Sequence, residues 1–239
     1  MQRTLRNEKN DDVENRNLYK EIIMNLKVEL EKYKAASIAK KSKEDAAKMA
    51  LDFETKAKEN ITKNALKAGD KMPAFELKNA VGEMIKSDDL LANGPVIISF
   101  YRGAWCPYCN LELAAYQEVL EDISAAGGQL IAISPELPDT SMTLIEKHSL
   151  GFEILSDLNN LVAKKFGLVF RVADDIVALY KTMGIDLEKS QGNSSFELPF
   201  PATYVVNKEG TIVEAAVTYD YRVRLEPEDA IKALKACAY

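Results

Sequence analysis

Histidine occurs once in these 239 residues, as His148, and cysteine three times, as Cys106, Cys109 and Cys237. That scarcity excludes a disulfide framework. It also leaves no recognisable finger spacing, since a structural zinc site needs about four ligands. No metal or cofactor is therefore expected. No apolar run approaches the roughly 20 residues that span a bilayer, so no membrane span is predicted. Residues Met1 to Asp12 are polar and charged, without the apolar stretch of a secretory leader. Positive charge is not in excess: the net charge is −6, which disfavours a general nucleic-acid binder. The expected location is a reducing compartment, the cytosol. Mitochondrial import fits less well, because Glu8, Asp11 and Asp12 follow Arg3 and Arg6 closely.

Glycine and proline are missing from Met1 to Asn64. Lysine, glutamate and alanine dominate there, and Leu18, Ile22, Leu26, Leu30 and Tyr33 recur at helical spacing as one apolar stripe. The stripe is too short and too drifting for a regular coiled coil. Two readings stand side by side: a solvated helix that docks its stripe on the main domain, and an arm that forms a homodimer. Gly69 and Pro73 are the first glycine and proline, so a boundary is placed near Ala65. The expected organisation is a charged helical extension over 1–64 and an α/β domain over 65–239.

Within that domain the informative stretch is Phe100 to Cys109. The apolar run Val96–Tyr101 before it reads as a buried strand, and the periodic segment Leu111–Ile123 after it as a helix. Cys106 and Cys109 thus lie where a strand ends and a helix begins. Pro107 suits the first helical turn, where its missing N–H costs nothing. Free N–H groups at that end favour a thiolate over a thiol. Cys109 falls one turn further on the same face, within reach of Cys106 for a disulfide. Thiol redox chemistry is the reading adopted. Half a zinc site shares the spacing, and two inert core cysteines are the other alternative.

The remaining chain alternates. A hairpin is expected around Val81-Gly82 and a capped turn at Ser87–Leu91. A helix from Cys106 to Ile123 is stopped by Gly127-Gly128. A strand follows at Gln129–Ser134, a helix at Asp139–Leu150, a strand at Phe152–Leu155, and short helices at Asn159–Phe166 and Asp174–Met183. Glu188–Ser195 reads as loop. Ala202–Val206 and Thr211–Val217 form a hairpin around Asn207–Gly210, and Pro227 opens a last helix. The pattern implies an α/β domain with a mixed sheet.

From about Leu66 to Leu234 the chain resembles the AhpC/TSA peroxiredoxins, within the thioredoxin fold. Gly69–Phe75 looks like the family's entry motif, and Phe152–Asp157 with Val162–Gly167 like its middle signature. Tyr101-Arg102-Gly103-Ala104-Trp105-Cys106-Pro107-Tyr108-Cys109 and Leu198–Thr203 are similar to a bacterial peroxiredoxin-like subgroup. The resemblance implies a thiol peroxidase that acts on hydrogen peroxide or organic hydroperoxides through Cys106 and is resolved by Cys109. It implies a thioredoxin-like or small-thiol reductant as partner. It does not cover the first few dozen residues.

Two positions depart from the family pattern. Gly103 stands where peroxiredoxins place a threonine, and Pro201 where they place an arginine. Trp105, the Cys-x-x-Cys pair and Pro201 look instead like thioredoxin and the TlpA-type reductases, in which a cis-proline faces the cysteines. Thiol–disulfide exchange is therefore the alternative function, and an interaction module with a vestigial site is a third. The expected catalytic residues are Cys106, Cys109 and Arg102. Trp105, Pro107 and Pro201 are the expected substrate contacts. Arg102 ranks ahead of Arg222 and Arg224 as substitute for the missing arginine, and Cys237 is ranked a bystander.

Overall fold

The computed structural model describes residues 25–39 and 41–237. Two helices precede the domain, α1 (Leu26–Ala39) and α2 (Lys43–Lys58). The strands are β1 (Glu76–Asn79), β2 (Met84–Lys86), β3 (Val96–Phe100), β4 (Gln129–Ser134), β5 (Glu153–Ser156), β6 (Val169–Arg171), β7 (Glu197–Pro199), β8 (Ala202–Val206) and β9 (Ile212–Val217). Between them run α3 (Ser87–Asn93), α4 (Pro107–Glu118), α5 (Leu120–Ala125), α6 (Pro138–His148), α7 (Leu161–Lys165), α8 (Asp174–Thr182) and α9 (Leu187–Gln191), and α10 (Pro227–Ala236) follows β9.

Seven strands form one mixed sheet in the order β2-β1-β5-β4-β3-β8-β9. At its centre β3 pairs parallel with β4 and antiparallel with β8. A strand covered on both faces reads as a continuous apolar run, and every residue of β3 is buried. Its period of two divides the core. Ile97 and Tyr101 join the cysteines, Leu113, Tyr116 and Leu234 on one face. Val96, Ile98 and Phe100 join Phe166, Tyr204 and Ile212 on the other. A smaller cluster lies under α8 and α9, where Phe170 stacks on Phe200 with centroids 4.6 Å apart.

Several local readings change. The helix expected from Cys106 to Ile123 is two helices, because Val119 leaves helical geometry (φ −108°, ψ 12°). The loop expected at Glu188–Ser195 begins as α9: Asp186 caps it, accepting from Lys189 N–H at 3.0 Å, and Gly192 closes it in the left-handed region. The two-stranded sheet of β6 and β7 was not expected. Both strands are three residues long, too short for alternation to show.

Leu18 and Ile22 lie outside the described residues. Leu26 and Leu30, the next members of the stripe, are buried against the domain as α1 packs on α4. A 14-residue helix is marginal alone. Burying two leucines supplies about 1.5–3 kcal/mol each, enough to hold it. The backbone N–H of Lys27 also donates to Glu226 at 2.8 Å. No residue of α2 is fully buried. It is tied down by Phe53 against Tyr221 (5.3 Å between centroids) and by the Lys56 ammonium over the Phe170 ring (4.4 Å). Among the described residues no helix is long and apolar enough to cross a membrane.

Candidate active site

The site forms where β3 hands over to α4. Cys106 is the N-cap residue of α4, with extended backbone (φ −93°, ψ 108°), and Pro107 opens the helix. The connection before it needs a glycine. Gly103 has φ +150°, and a Cβ there would collide with Trp105 Nε1 and Glu136 Oε1. The threonine of the family pattern has no room at this position. Glu136 holds the same connection by accepting the Ala104 N–H at 2.7 Å, and Asn110 Nδ2 donates to the Ala104 carbonyl at 2.9 Å.

Both cysteines are free thiols, Cys106 1% exposed and Cys109 fully buried. Burial works against ionising either one. For Cys106 it is outweighed by the hydrogen bond with Cys109 and by the charges of Arg102 and Arg224, so its thiol titrates below the ordinary value. One charge about 4 Å away at an effective dielectric near 20 is worth about 4 kcal/mol, enough to reverse a shift of some pKa units. For Cys109, burial and the thiolate next door push the pKa well up. The pair therefore holds one charge, on Cys106.

Arg102 is buried with Nη1 4.0 Å from Cys106 Sγ. It donates through Nη2 to the Tyr180 hydroxyl. The guanidinium lies over Tyr221 at 4.2 Å and over Trp105 at 4.8 Å. Arg224 serves the second cysteine. Its Nη2 lies 3.5 Å from Cys109 Sγ and its Nε donates to Glu112 at 2.6 Å. Glu112 also accepts from the Thr203 hydroxyl at 3.1 Å. Burial raises Glu112 to about 7 against the opposing pull of Arg224. Glu136 is raised to about 7 by burial, despite its bond from Ala104.

A cavity of about 250 Å³ leads to Cys106. Arg102, Trp105, Pro107, Tyr108, Tyr180 and Tyr221 line it from the domain. Tyr33, Ser37, Lys41 and Met49 line it from the N-terminal helices, with Tyr33 edge-on to Tyr108 at 5.1 Å. Of the residues expected from sequence, Cys106, Arg102, Trp105 and Pro107 meet at this cavity, with Cys109 directly behind. Pro201 does not line it. It lines a separate cavity with Thr203 and Arg224, and its peptide bond is trans. Arg222 is bonded twice to Asp220 at 2.8 Å and lies over the Phe53 ring at 4.2 Å, away from the Cys106 cavity. Asp157 caps α7, accepting from Val162 and Ala163 N–H at 2.9 and 2.8 Å. Cys237 closes α10, its thiol donating to the Ala233 carbonyl at 3.4 Å. His148 is half-buried in the last turn of α6. No cluster of metal-ligating side chains is present among the described residues.

Tyr33, Met49, Glu136 and Tyr180 escaped the sequence reading. Glu136 had a signal, because it follows β4, the parallel neighbour of β3, and the ends of adjacent parallel strands meet. Tyr33 lay on the recognised stripe without a hint of its target. Nothing local marks Met49 or Tyr180.

Several known proteins are similar to this chain. Peroxiredoxin Bcp of Escherichia coli (strain K12) is 31% identical over 105 residues, covering 44% of this chain and 67% of that protein. A Buchnera aphidicola protein carrying the peroxiredoxin bcp name is 36% identical over 103 residues, 43% of this chain and 65% of that one. The chain thus spans about two thirds of the length of these curated relatives. The solved structure of peroxidoxin BcpB from Mycobacterium tuberculosis superposes with a TM-score of 0.59 at 20% identity, covering 72% of this chain and 97% of that one. That likeness shows the fold, thioredoxin-like with a mixed sheet. The sequence pattern of the AhpC/TSA family matches residues 68–215. That stretch is more than half of the chain and runs from ahead of β1 into β9 with both site cysteines inside it, so this protein belongs to the AhpC/TSA family.

Proposed function

We propose that the protein is a thiol peroxidase. The Cys106 thiolate attacks the O–O bond of hydrogen peroxide or an organic hydroperoxide. The cysteine becomes a sulfenic acid, and the distal oxygen takes a proton and leaves as water or an alcohol. The Cys109 thiol then condenses with the sulfenic acid, releasing water and forming the Cys106–Cys109 disulfide. A thioredoxin-like or small-molecule dithiol reduces that disulfide and is itself oxidised. The observation that carries the reading is the guanidinium of Arg102 beside Cys106 at the N-terminus of α4. It stabilises the thiolate and supplies preorganised donors for the leaving oxygen. Trp105 and Pro107 flank the peroxide. The relatives named peroxiredoxin support the same class. A cytosolic location fits three cysteines with no disulfide framework.

The test is peroxide consumption coupled to a thioredoxin system, with sulfenic-acid trapping at Cys106 in a Cys109→Ser variant. Peroxide turnover without a trapped species at Cys106 removes this assignment.

One observation favours thiol–disulfide exchange as a second reading: Gly103 offers no hydroxyl to the peroxide and has no room for one. Brisk disulfide exchange with negligible peroxide reactivity in the unmutated protein makes that the function. The reading also includes a homodimer through the N-terminal helices, where Val28, Ile38 and Leu51 remain exposed. A monomer mass in sedimentation removes it.

A further inference from the structure

The cavity that reaches Cys106 has walls from two parts of the chain. Cys106 is 1% exposed, so a reagent meets it through that cavity. Tyr33 of α1 and Met49 of α2 complete a lining shared with Trp105 and Tyr108. A second cavity, about 400 Å³, lies beneath the same helices and is lined by Ala46, Ala50 and Phe53. Met49 lines both cavities. Tyr33 is fixed in place by its edge-on contact with Tyr108, the residue between Pro107 and Cys109.

We propose that Tyr33 and Met49 are specificity-determining residues that set the size of the hydroperoxide admitted to Cys106. Met49 shares the partition between the two cavities with Lys41, Tyr108 and Tyr221, and Tyr33 narrows the approach to Cys106. The aromatic faces accept the apolar body of an alkyl or aryl hydroperoxide, while the peroxide oxygens turn to Arg102 and Cys106. The proposal rests on the peroxidase reading. It also makes the N-terminal helices part of the site. Truncating either side chain removes wall and little core, because Tyr33 is 37% exposed and Met49 half-buried.

The test uses the full chain and compares the rates of Cys106 oxidation by cumene hydroperoxide and hydrogen peroxide in stopped flow, following Trp105. The ratio of the two rates is the readout. Tyr33→Ala and Met49→Ala are each expected to raise it by about tenfold, the scale of a small volume change in an apolar pocket. Tyr33→Phe and Met49→Leu keep the bulk and return the ratio to that of the unmutated protein. Ser37→Phe adds bulk to the same wall and lowers it. Ratios that do not move in Tyr33→Ala, Met49→Ala and Ser37→Phe overturn the proposal. If neither peroxide oxidises the unmutated protein, the peroxidase reading has failed. The wall is then read by alkylation of Cys106 with iodoacetamide against an N-aryl maleimide, in a Cys109→Ser, Cys237→Ser background. The same opposed shifts sustain it, and equal ratios across the variants overturn it.

Discussion

Arg224 reaches Cys109 from 115 positions further along the chain, placing Nη2 3.5 Å from the sulfur. The same guanidinium binds Glu112, one helical turn beyond the cysteine on α4. The second thiol therefore lies in a buried charge network of its own, distinct from the Arg102 that serves Cys106. Removing the arginine strands a buried carboxylate, which costs about 3–5 kcal/mol where the partner group stays ionised. Arg224→Met is expected to lower the unfolding free energy most at pH 8 and least at pH 5, where Glu112 takes up a proton instead. Urea titrations at the two pH values check this. An equal loss at both would mean that the ion pair contributes nothing.

Arg102 is expected to matter more for peroxide than for disulfides. It lies 4.0 Å from Cys106 Sγ and is held by Tyr180. Arg102→Met should slow Cys106 oxidation by about 100-fold, the cost of losing one preorganised donor, and slow exchange with a small disulfide far less. Tyr180→Phe leaves the charge but loosens its position, so its loss should be smaller and of the same pattern. Equal losses in both reactions would reduce Arg102 to a tuner of the thiolate.

Cys106 should titrate below a free thiol. The charges of Arg102 and Arg224 and the helix N-terminus favour its thiolate over the opposing effect of burial. In a Cys109→Ser, Cys237→Ser background, alkylation is expected to reach its plateau before the free-cysteine pKa of about 8.5. A midpoint at or above that value contradicts the geometry.

Restoring the family's threonine should harm the protein. Gly103 combines a positive φ of 150° with contacts that leave no space for a Cβ. Gly103→Thr is expected to cost about 1–3 kcal/mol from backbone strain alone and to lower the peroxide rate. A faster variant with an unchanged melting temperature would show that the loop adapts.

Glu136 makes stability depend on pH. Its folded pKa, about 7, lies above the 4.5 of an ordinary glutamate. The folded state therefore binds the proton more tightly, and the contribution is complete below about 4.5 and lost as pH rises through about 7. Glu136→Gln still accepts the Ala104 N–H and carries no charge. It should flatten the fall in stability between those limits and melt higher than the unmutated protein at pH 8, but not at pH 4. Parallel melting curves across that range would place the titration elsewhere.

The central strand, the following helix and the two cysteines at their junction were legible in the sequence. Buried strands and amphipathic helices announce themselves through periodicity, and Pro107 suits a first helical turn. The hairpin at Asn207–Gly210 was legible for a similar reason, since turn chemistry lies within a few residues. Two short features were not. The α9 helix and the β6–β7 pair are too brief for a period to register, and they exist because Leu187, Leu198 and Phe170 bury themselves in the third cluster.

The sequence alone determined the cysteine pair at the strand-to-helix junction, the α/β class and the neighbouring Arg102, all carried by local patterns. Only the tertiary structure decided what surrounds them. The approach of Arg224 to Cys109 and of Tyr180 to Arg102 spans 115 and 78 positions, a separation that no local pattern encodes. Tyr33 and Met49 enter the cavity wall because burial of Leu26 and Leu30 and the contacts of Phe53 and Lys56 bring the two helices onto the domain. The apolar stripe told that the first helix needed a partner surface. Which surface it found, and that this surface borders Cys106, depended on shape and charge assembled from the whole chain.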